Sequence, residues 1–176
     1  MNETDINLLK NRLSEIASIP DQQWTGNLCE RKKEELEFHD RDRDQTRIQS
    51  LDQKDFNKYY GNRKYYGGTA LSREYVDRWI TEHARNGVFL DYACGNGLYA
   101  IKAAQAGAIL SIGLDLSTIS IENAKREASS QAVSANTVFI VADAENTLLP
   151  DNSIDVMICS GMLHHLDLSY AFPEMR

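Results

Sequence analysis

The spacing of apolar residues divides the chain into two parts that meet near residue 70. Before that point the sequence is polar, and apolar positions that recur on one helical face predict a helix over 4–18. These positions are Ile6, Leu9, Leu13 and Ile16. Beyond that point short apolar runs alternate with helical patterns. The pattern therefore predicts an N-terminal helical extension with a lid over 1–70 and a second domain over 71–176.

Two segments of the extension have an unusual composition. Residues 29–47 hold seven acidic and six basic side chains, which predicts a solvated helix. Residues 59–68, YYGNRKYYGG, crowd four tyrosines into a short glycine-rich loop. This loop either packs its tyrosines against the domain or forms a lid over a binding site. The lid candidates are Tyr60, Arg63, Tyr65 and Tyr66.

The pattern becomes regular from residue 88 onward. Four apolar runs predict strands at 88–93, 109–115, 137–143 and 154–161. The helical patterns between the first three strands span 98–107 and 117–129, the second with Ser117 as its cap. Strands that alternate with helices predict an α/β fold, a Rossmann-like parallel sheet with helices on both faces.

Composition narrows the range of partners. The net charge of −7 and the pI of about 5.1 argue against a nucleic-acid partner, which usually requires a basic surface. Cys29, Cys94 and Cys159 lack metal-ligand spacing, so no metal is predicted and a reducing, cytoplasmic location is expected. The N-terminus has no signal-peptide pattern, and no apolar run reaches the ~18 residues of a membrane span. The oligomeric state is left open.

Ligands of parallel α/β sheets bind beyond the carboxyl ends of the strands, so the residues there decide the function. In the first turn Gly95 and Gly97 satisfy the dinucleotide pattern G-x-G-x-x-A, which keeps a nicotinamide-dependent oxidoreductase as an alternative. Asp91 disfavours that alternative, because a carboxylate there repels a pyrophosphate and attracts an ammonium or a sulfonium. Alternatively, the carboxylate of Asp91 could cap nearby backbone amides.

Two further strands end in acidic residues. Asp115 can accept hydrogen bonds from both hydroxyls of a ribose, although it could also cap the helix that begins after Ser117. Asp143 beside the backbone N–H of Ala144 can pair with the amino group and ring nitrogen of an adenine. The position of Asp115 is compatible both with a nicotinamide dinucleotide and with a ribose-containing ligand that bears an ammonium or a sulfonium.

Taken in order along the chain, these motifs resemble those of a known enzyme family. VFLDYACGNG resembles the first motif of class I S-adenosylmethionine-dependent methyltransferases, and IGLDLS resembles the second. ADAENTLLPDNSIDVMICSGMLHHL resembles the next two. The resemblance covers residues 88 to 176 and is greatest to the ubiquinone/menaquinone-biosynthesis methyltransferase-like group. It implies S-adenosylmethionine as cofactor and methyl transfer by direct displacement.

The resemblance also implies which residues hold the cofactor. The methionine part is assigned to Asp91, Ala93, Gly95 and Gly97; the ribose to Asp115; the adenine to Leu116, Asp143 and Ala144; and Ser160 completes the set. The family usually has glycine in place of Ala93. Alanine is expected to leave the pocket open if its φ is negative.

Direct displacement depends mainly on positioning, so few catalytic residues are expected. The candidates are His164, His165 and Tyr66, with a histidine acting as general base where the acceptor carries a proton. The alternative is that one histidine packs inside and the other is solvated. CSGM over 159–162 replaces the Asn- or Asp-Pro-Pro-aromatic sequence of nucleic-acid amino methyltransferases, which favours a small-molecule acceptor.

The methyltransferase fold implied by the resemblance has seven strands in the order three, two, one, four, five, seven, six, and this sequence supplies four. We therefore expect a domain that is incomplete at the C-terminus, truncated after about four strands. A truncated or degenerate relative that binds cofactor or a partner without catalysis is the alternative function.

Overall fold

A computed structural model of the chain describes residues 2–60 and 70–176. The first half is helical, with α1 Glu3–Ala17, α2 Asp21–Thr25, α3 Glu30–Arg43, α4 Gln45–Ser50, α5 Gln53–Tyr60 and α6 Ala70–His83. The second half alternates, with β1 Val88–Tyr92, α7 Leu98–Gln105, β2 Leu110–Asp115, α8 Thr118–Ser130, β3 Thr137–Val141 and β4 Val156–Ile158. A 3-10 turn at Leu163–His165 and α9 Leu168–Glu174 follow.

The four strands form one parallel sheet in the order β3-β2-β1-β4. Its two central strands, β1 and β2, are buried along their whole length, as expected when helices cover both faces of a parallel sheet. The predicted Rossmann-like α/β fold is confirmed. Because all four strands run in one direction, their carboxyl ends meet at a single edge, where a ligand site is expected.

Helices cover both faces of the sheet. On one face, Leu9 and Leu13 of α1 belong to the largest apolar cluster, which also contains Leu90 and Tyr92 of β1, and α1 itself contacts β3. On the other face, β1 contributes Phe89, which packs against α6 and α7, because successive side chains of a strand point in opposite directions. The amphipathic pattern that predicted α1 therefore places this helix in the core of the sheet.

Most predicted elements agree with the structure to within two residues, and β4 is the main exception. The predicted run 154–161 forms only three residues of ladder. Asp155 extends the attachment to β1, because its N–H donates to the carbonyl of Val88 at 3.0 Å and its carboxylate accepts from the Val88 N–H at 2.8 Å. The chain then leaves the sheet near Gly161, whose φ is 74°. Across the described ranges, no helix combines the length and apolarity needed to cross a membrane.

Candidate functional site

A cleft lies at the carboxyl ends of the strands, between the sheet and α3. The α3 wall contributes Arg31, Lys32, Glu35, Leu36, His39 and Arg43. The sheet wall contributes Ala93, Asp115, Leu116, Ser117, Asp143, Ala144, Glu145, Met162, His165 and Leu166. The cleft therefore brings together side chains from the ends of β1, β2, β3 and β4, the edge at which the sequence placed the ligand.

The prediction of a merely solvated helix at 29–47 is wrong for the inner face of α3. Lys32 lies 2.5 Å from Asp143 and 2.8 Å from Glu145, and its side chain is only 15% exposed. Arg31 lies 2.6 Å from Glu145. The acidic partners lie more than a hundred positions away along the chain. The local charge pattern therefore could not reveal that this helix covers the site.

Asp115 joins β2 to the glycine-rich turn after β1. One carboxylate oxygen accepts from the Gly95 N–H at 2.8 Å, and the other accepts from the Ser117 N–H at 2.9 Å. Arg43 of α3 lies 3.5 Å from the first oxygen. Each carboxylate oxygen can accept more than one hydrogen bond, so Asp115 keeps capacity for a ligand hydroxyl.

The turn after β3 is held in one conformation. The Asp143 carboxylate accepts from the Glu145 N–H at 2.9 Å, and the Tyr92 hydroxyl donates to the Ala144 carbonyl. Burial opposes ionisation of Glu145, but hydrogen bonds from Lys32, the Asp167 amide and Arg31 outweigh it and lower the pKa of this carboxyl. The two residues assigned to an adenine edge therefore belong to a turn that these hydrogen bonds constrain.

Asp91 does not line the cleft. It is buried below the first turn of α7, where its carboxylate accepts from the Ala100 N–H at 3.1 Å. Burial is the main cause that raises the pKa of Asp91 to about 7. Hydrogen bonds from the Ala100 and Tyr99 amides lower this pKa, and the charge of Asp115 raises it further. The structure thus shows the alternative arrangement, a carboxylate bound to backbone amides, and the cofactor role of Asp91 stays a prediction.

This buried carboxyl makes stability depend on pH. The folded-state pKa of Asp91 lies near 7, above its ordinary value near 3.8, so the folded state holds a proton that the unfolded state has lost. Stability should therefore fall as pH rises from about 4 to about 7. Asp91→Asn should remove this loss, and its advantage in urea-unfolding free energy should grow across the same interval. A pH-independent difference between the two proteins would contradict the assignment.

The turn after β1 is left-handed at three positions: φ is 57° at Ala93, 54° at Gly95 and 78° at Gly97. The condition under which alanine was expected to be harmless, a negative φ at Ala93, is not met. Left-handed backbone costs an alanine about 1–2 kcal/mol, and Ala93 is one of the residues that line the cleft. Neither glycine lines it: Gly95 lies beside Arg43 of α3, and Gly97 lies beside Phe139 and Ala124.

The remaining predicted residues divide between the cleft and its surroundings. Leu116 and His165 line the cleft, whereas Ser160 and His164 are exposed outside it. His165 is half-buried but faces the cleft, so a catalytic role for either histidine stays a prediction. Tyr60 is buried at the end of α5. The other lid and catalytic candidates, Arg63, Tyr65 and Tyr66, lie outside the described residues.

Sequence reasoning missed a cluster on the α3 side of the cleft. Glu35 lies 2.8 Å from Nδ1 of His165 and 3.6 Å from Nε2 of His39. Burial is the main cause that lowers the pKa of His39; Arg43 lowers it further, while Asp115 and Glu35 oppose the shift. The i,i+4 spacing of Glu35 and His39 was the only signal in the sequence, because it places both on one helical face.

A parallel sheet with a glycine-rich first turn and acidic residues after β2 and β3 defines the class of Rossmann-like cofactor-binding domains. Comparison with known families is more specific, because residues 89–176, half of the chain, match a family described as a methyltransferase domain. The chain belongs to this family. This match confirms the predicted family, the class I S-adenosylmethionine-dependent methyltransferases, over the nicotinamide alternative, whereas the ubiquinone-like subgroup is not confirmed.

Individual relatives match only part of the chain. The 27-O-demethylrifamycin SV methyltransferase of Amycolatopsis mediterranei is 38% identical over 77 residues, which cover 44% of this chain and 28% of that protein. The ribosomal protein L11 methyltransferase of Burkholderia lata is 30% identical over 91 residues, which cover 51% of this chain and 28% of that protein. The chain thus matches less than a third of the length of these relatives.

Solved structures share the fold. A protein of Methanococcus maripaludis, provisionally described as an S-adenosyl-L-methionine-dependent methyltransferase, has a TM-score of 0.54 at 21% identity, over 65% of this chain and 55% of that one. The PH0226 protein of Pyrococcus horikoshii OT3 has a TM-score of 0.52 at 23% identity, over 69% of this chain and 58% of that one. These similarities concern the arrangement of helices and strands.

Proposed function

We propose that the cleft binds S-adenosylmethionine and that the protein transfers its methyl group to a small molecule by direct displacement. One observation carries this proposal. Ala93, Asp115, Leu116, Asp143 and Ala144, which follow three different strands, all line the same cleft. These are residues that the resemblance assigned to the methionine, ribose and adenine parts of one cofactor.

In this proposal each part of the cofactor has its own group of residues. The ribose hydroxyls donate to Asp115, and the adenine pairs with Asp143 and the Ala144 N–H. Arg43 stands beside Gly95, where a built Cβ would lie 3.1 Å from its guanidinium, so it can pair with the carboxylate of the methionine part. Lys32 then has to release Asp143 in part, because one carboxylate oxygen is needed for the adenine amino group.

In this proposal the N-terminal extension covers the site, and the domain that follows residue 70 binds the cofactor. Because α3 lies across the cleft, the space left for an acceptor suits a small molecule better than a folded protein surface. The Amycolatopsis relative is named for a small-molecule substrate, and the Burkholderia relative for a ribosomal protein. A quinone precursor, as in the ubiquinone-like group that the sequence resembles, is one acceptor to test. His165, oriented by Glu35, can take the proton when the acceptor is a hydroxyl.

Calorimetry separates this proposal from its alternatives. We expect the chain to bind S-adenosylhomocysteine with a stoichiometry of one and to give no binding heat with NAD. Binding of NAD alone, or of neither ligand by a protein whose circular dichroism and cooperative unfolding show that it is folded, would contradict the proposal. Cofactor binding without methyl transfer to any phenol or quinol in a panel would instead favour the non-catalytic relative.

A further inference from the structure

A group of three potential metal ligands lies at the α3 end of the cleft. Glu35 and His39 come from one face of α3, and His165 comes from the 3-10 turn after β4. One ligand atom of each residue lies within 4.8 Å of the other two. All three side chains are partly buried, with exposed fractions of 34%, 20% and 23% for Glu35, His39 and His165 respectively. They line the cleft from two elements that are distant in sequence.

The separations between these atoms suit a shared metal ion. Two ligands bound tetrahedrally at about 2.0–2.2 Å from a zinc ion lie roughly 3.4 Å apart. The Glu35 oxygen lies 2.8 Å from the His165 nitrogen and 3.6 Å from the His39 nitrogen, which brackets that value. To reach it, the first distance would lengthen by about 0.6 Å, the second would shorten by about 0.2 Å, and the two imidazoles would move closer together.

The Nε2 atom of His39 is a second, independent indication. It is buried, and no described group forms a hydrogen bond with it. Its nearest acidic partner, Glu35, is too far away at 3.6 Å for a hydrogen bond, which for these atoms spans about 2.7–3.2 Å. A buried nitrogen without a partner is costly, and a metal ion between the two side chains would satisfy it.

The surrounding charges leave Glu35 available. Arg31 and Lys32 pair with Glu145, and Lys32 also pairs with Asp143. Arg43 lies against Asp115 and donates to the Ser120 hydroxyl at 2.7 Å. Within the described ranges, Glu35 forms ion pairs only with the two histidines. The cations that line the cleft are therefore neutralised by other carboxylates.

We propose that Glu35, His39 and His165 bind a first-row divalent transition metal ion such as Zn²⁺ or Co²⁺, with an open coordination position toward the cleft. Two imidazoles and one carboxylate are the ligand set that these ions accept, whereas Mg²⁺ and Ca²⁺ prefer oxygen ligands. The i,i+4 pair on α3 supplies two ligands from one helical face, as in known helical zinc sites. The ion would join α3 to the segment after β4. The ion would use the same Glu35 and His165 as the proposed proton transfer, but its binding is tested without any methyl transfer.

Cobalt provides a direct test on the metal-free full chain. Tetrahedral or five-coordinate Co²⁺ absorbs in the visible range, so titration should give a d–d band that saturates at one ion per chain and disappears when Zn²⁺ is added. His39→Ala, His165→Ala and Glu35→Gln should each weaken Co²⁺ binding by at least about 100-fold, since loss of a ligand should exceed the 10- to 100-fold cost of losing an outer-shell partner.

The chain offers two matched controls, because its other histidines lie outside the cluster. His164→Ala, next to a proposed ligand, and His83→Ala on α6 should bind Co²⁺ like the original protein. Thermal unfolding without metal shows which variants fold. If a histidine variant does not fold, the Co²⁺ affinity of the nearly isosteric Glu35→Gln is the deciding measurement. Absence of a d–d band in the folded protein would overturn the site and leave a histidine–carboxylate pair only. A thiolate charge-transfer band, or equal affinity in all five variants, would overturn it as well.

Discussion

Asp115→Ala should weaken binding of S-adenosylhomocysteine by at least about 100-fold. In the proposed complex the carboxylate accepts hydrogen bonds from two ribose hydroxyls, each worth roughly 1.5–3 kcal/mol because the acceptor is charged. Since each 1.4 kcal/mol corresponds to about a tenfold change in affinity, even the lower estimates give this effect. Isothermal titration calorimetry of the variant and of the original protein measures the difference directly.

The same carboxylate also supports the fold, so the experiment needs a control. Asp115 accepts from the backbone N–H groups of Gly95 and Ser117, and its loss should lower the melting temperature of the free protein. Asp155 is a matched residue, because it accepts from the Val88 N–H at 2.8 Å and does not line the cleft. Asp155→Ala should destabilise the protein and leave the affinity unchanged. Unchanged affinity in folded Asp115→Ala would refute the ribose assignment.

Among alanine substitutions in the turn after β1, Gly97→Ala should destabilise the protein most. The added Cβ would lie 2.6 Å from Phe139 Cε1 and 2.8 Å from Ala124 Cβ, both closer than real contacts allow. Left-handed backbone adds about 1–2 kcal/mol, and overpacking of a filled core adds about 1–3 kcal/mol. We therefore expect the free energy of unfolding to fall by about 2–5 kcal/mol, measured by urea denaturation.

Gly161→Ala separates the two causes. The φ of Gly161 is 74°, close to the 78° of Gly97, but no described atom lies within 4 Å of the Cβ that the substitution would add. This variant should lose only the backbone contribution of about 1–2 kcal/mol. If both variants lose the same amount of stability, then Phe139 and Ala124 yield to the new methyl group and the tight contact at Gly97 is not the cause.

Most of the fold could be predicted from the local spacing of apolar residues. Neighbouring residues in the sequence determine the apolar positions of α1, the buried runs of β1 and β2, and the cap at Ser117. Their structure therefore follows from spacing alone. The order β3-β2-β1-β4 was implied by the family resemblance. Five residues of the predicted cofactor set meet in one cleft because the carboxyl ends of parallel strands share an edge.

The tertiary structure decided what depends on distant residues or on backbone conformation. Whether Asp91 faces the ligand or the amides of α7 depends on how that helix packs, and the φ of 57° at Ala93 depends on the turn around it. The role of α3 depends on carboxylates 111 and 114 positions away in sequence. The sequence by itself determined the sheet and the edge at which a ligand is expected. Only the folded chain placed the charged helix and its histidine across that edge, because pairing between distant charges leaves no periodic signal.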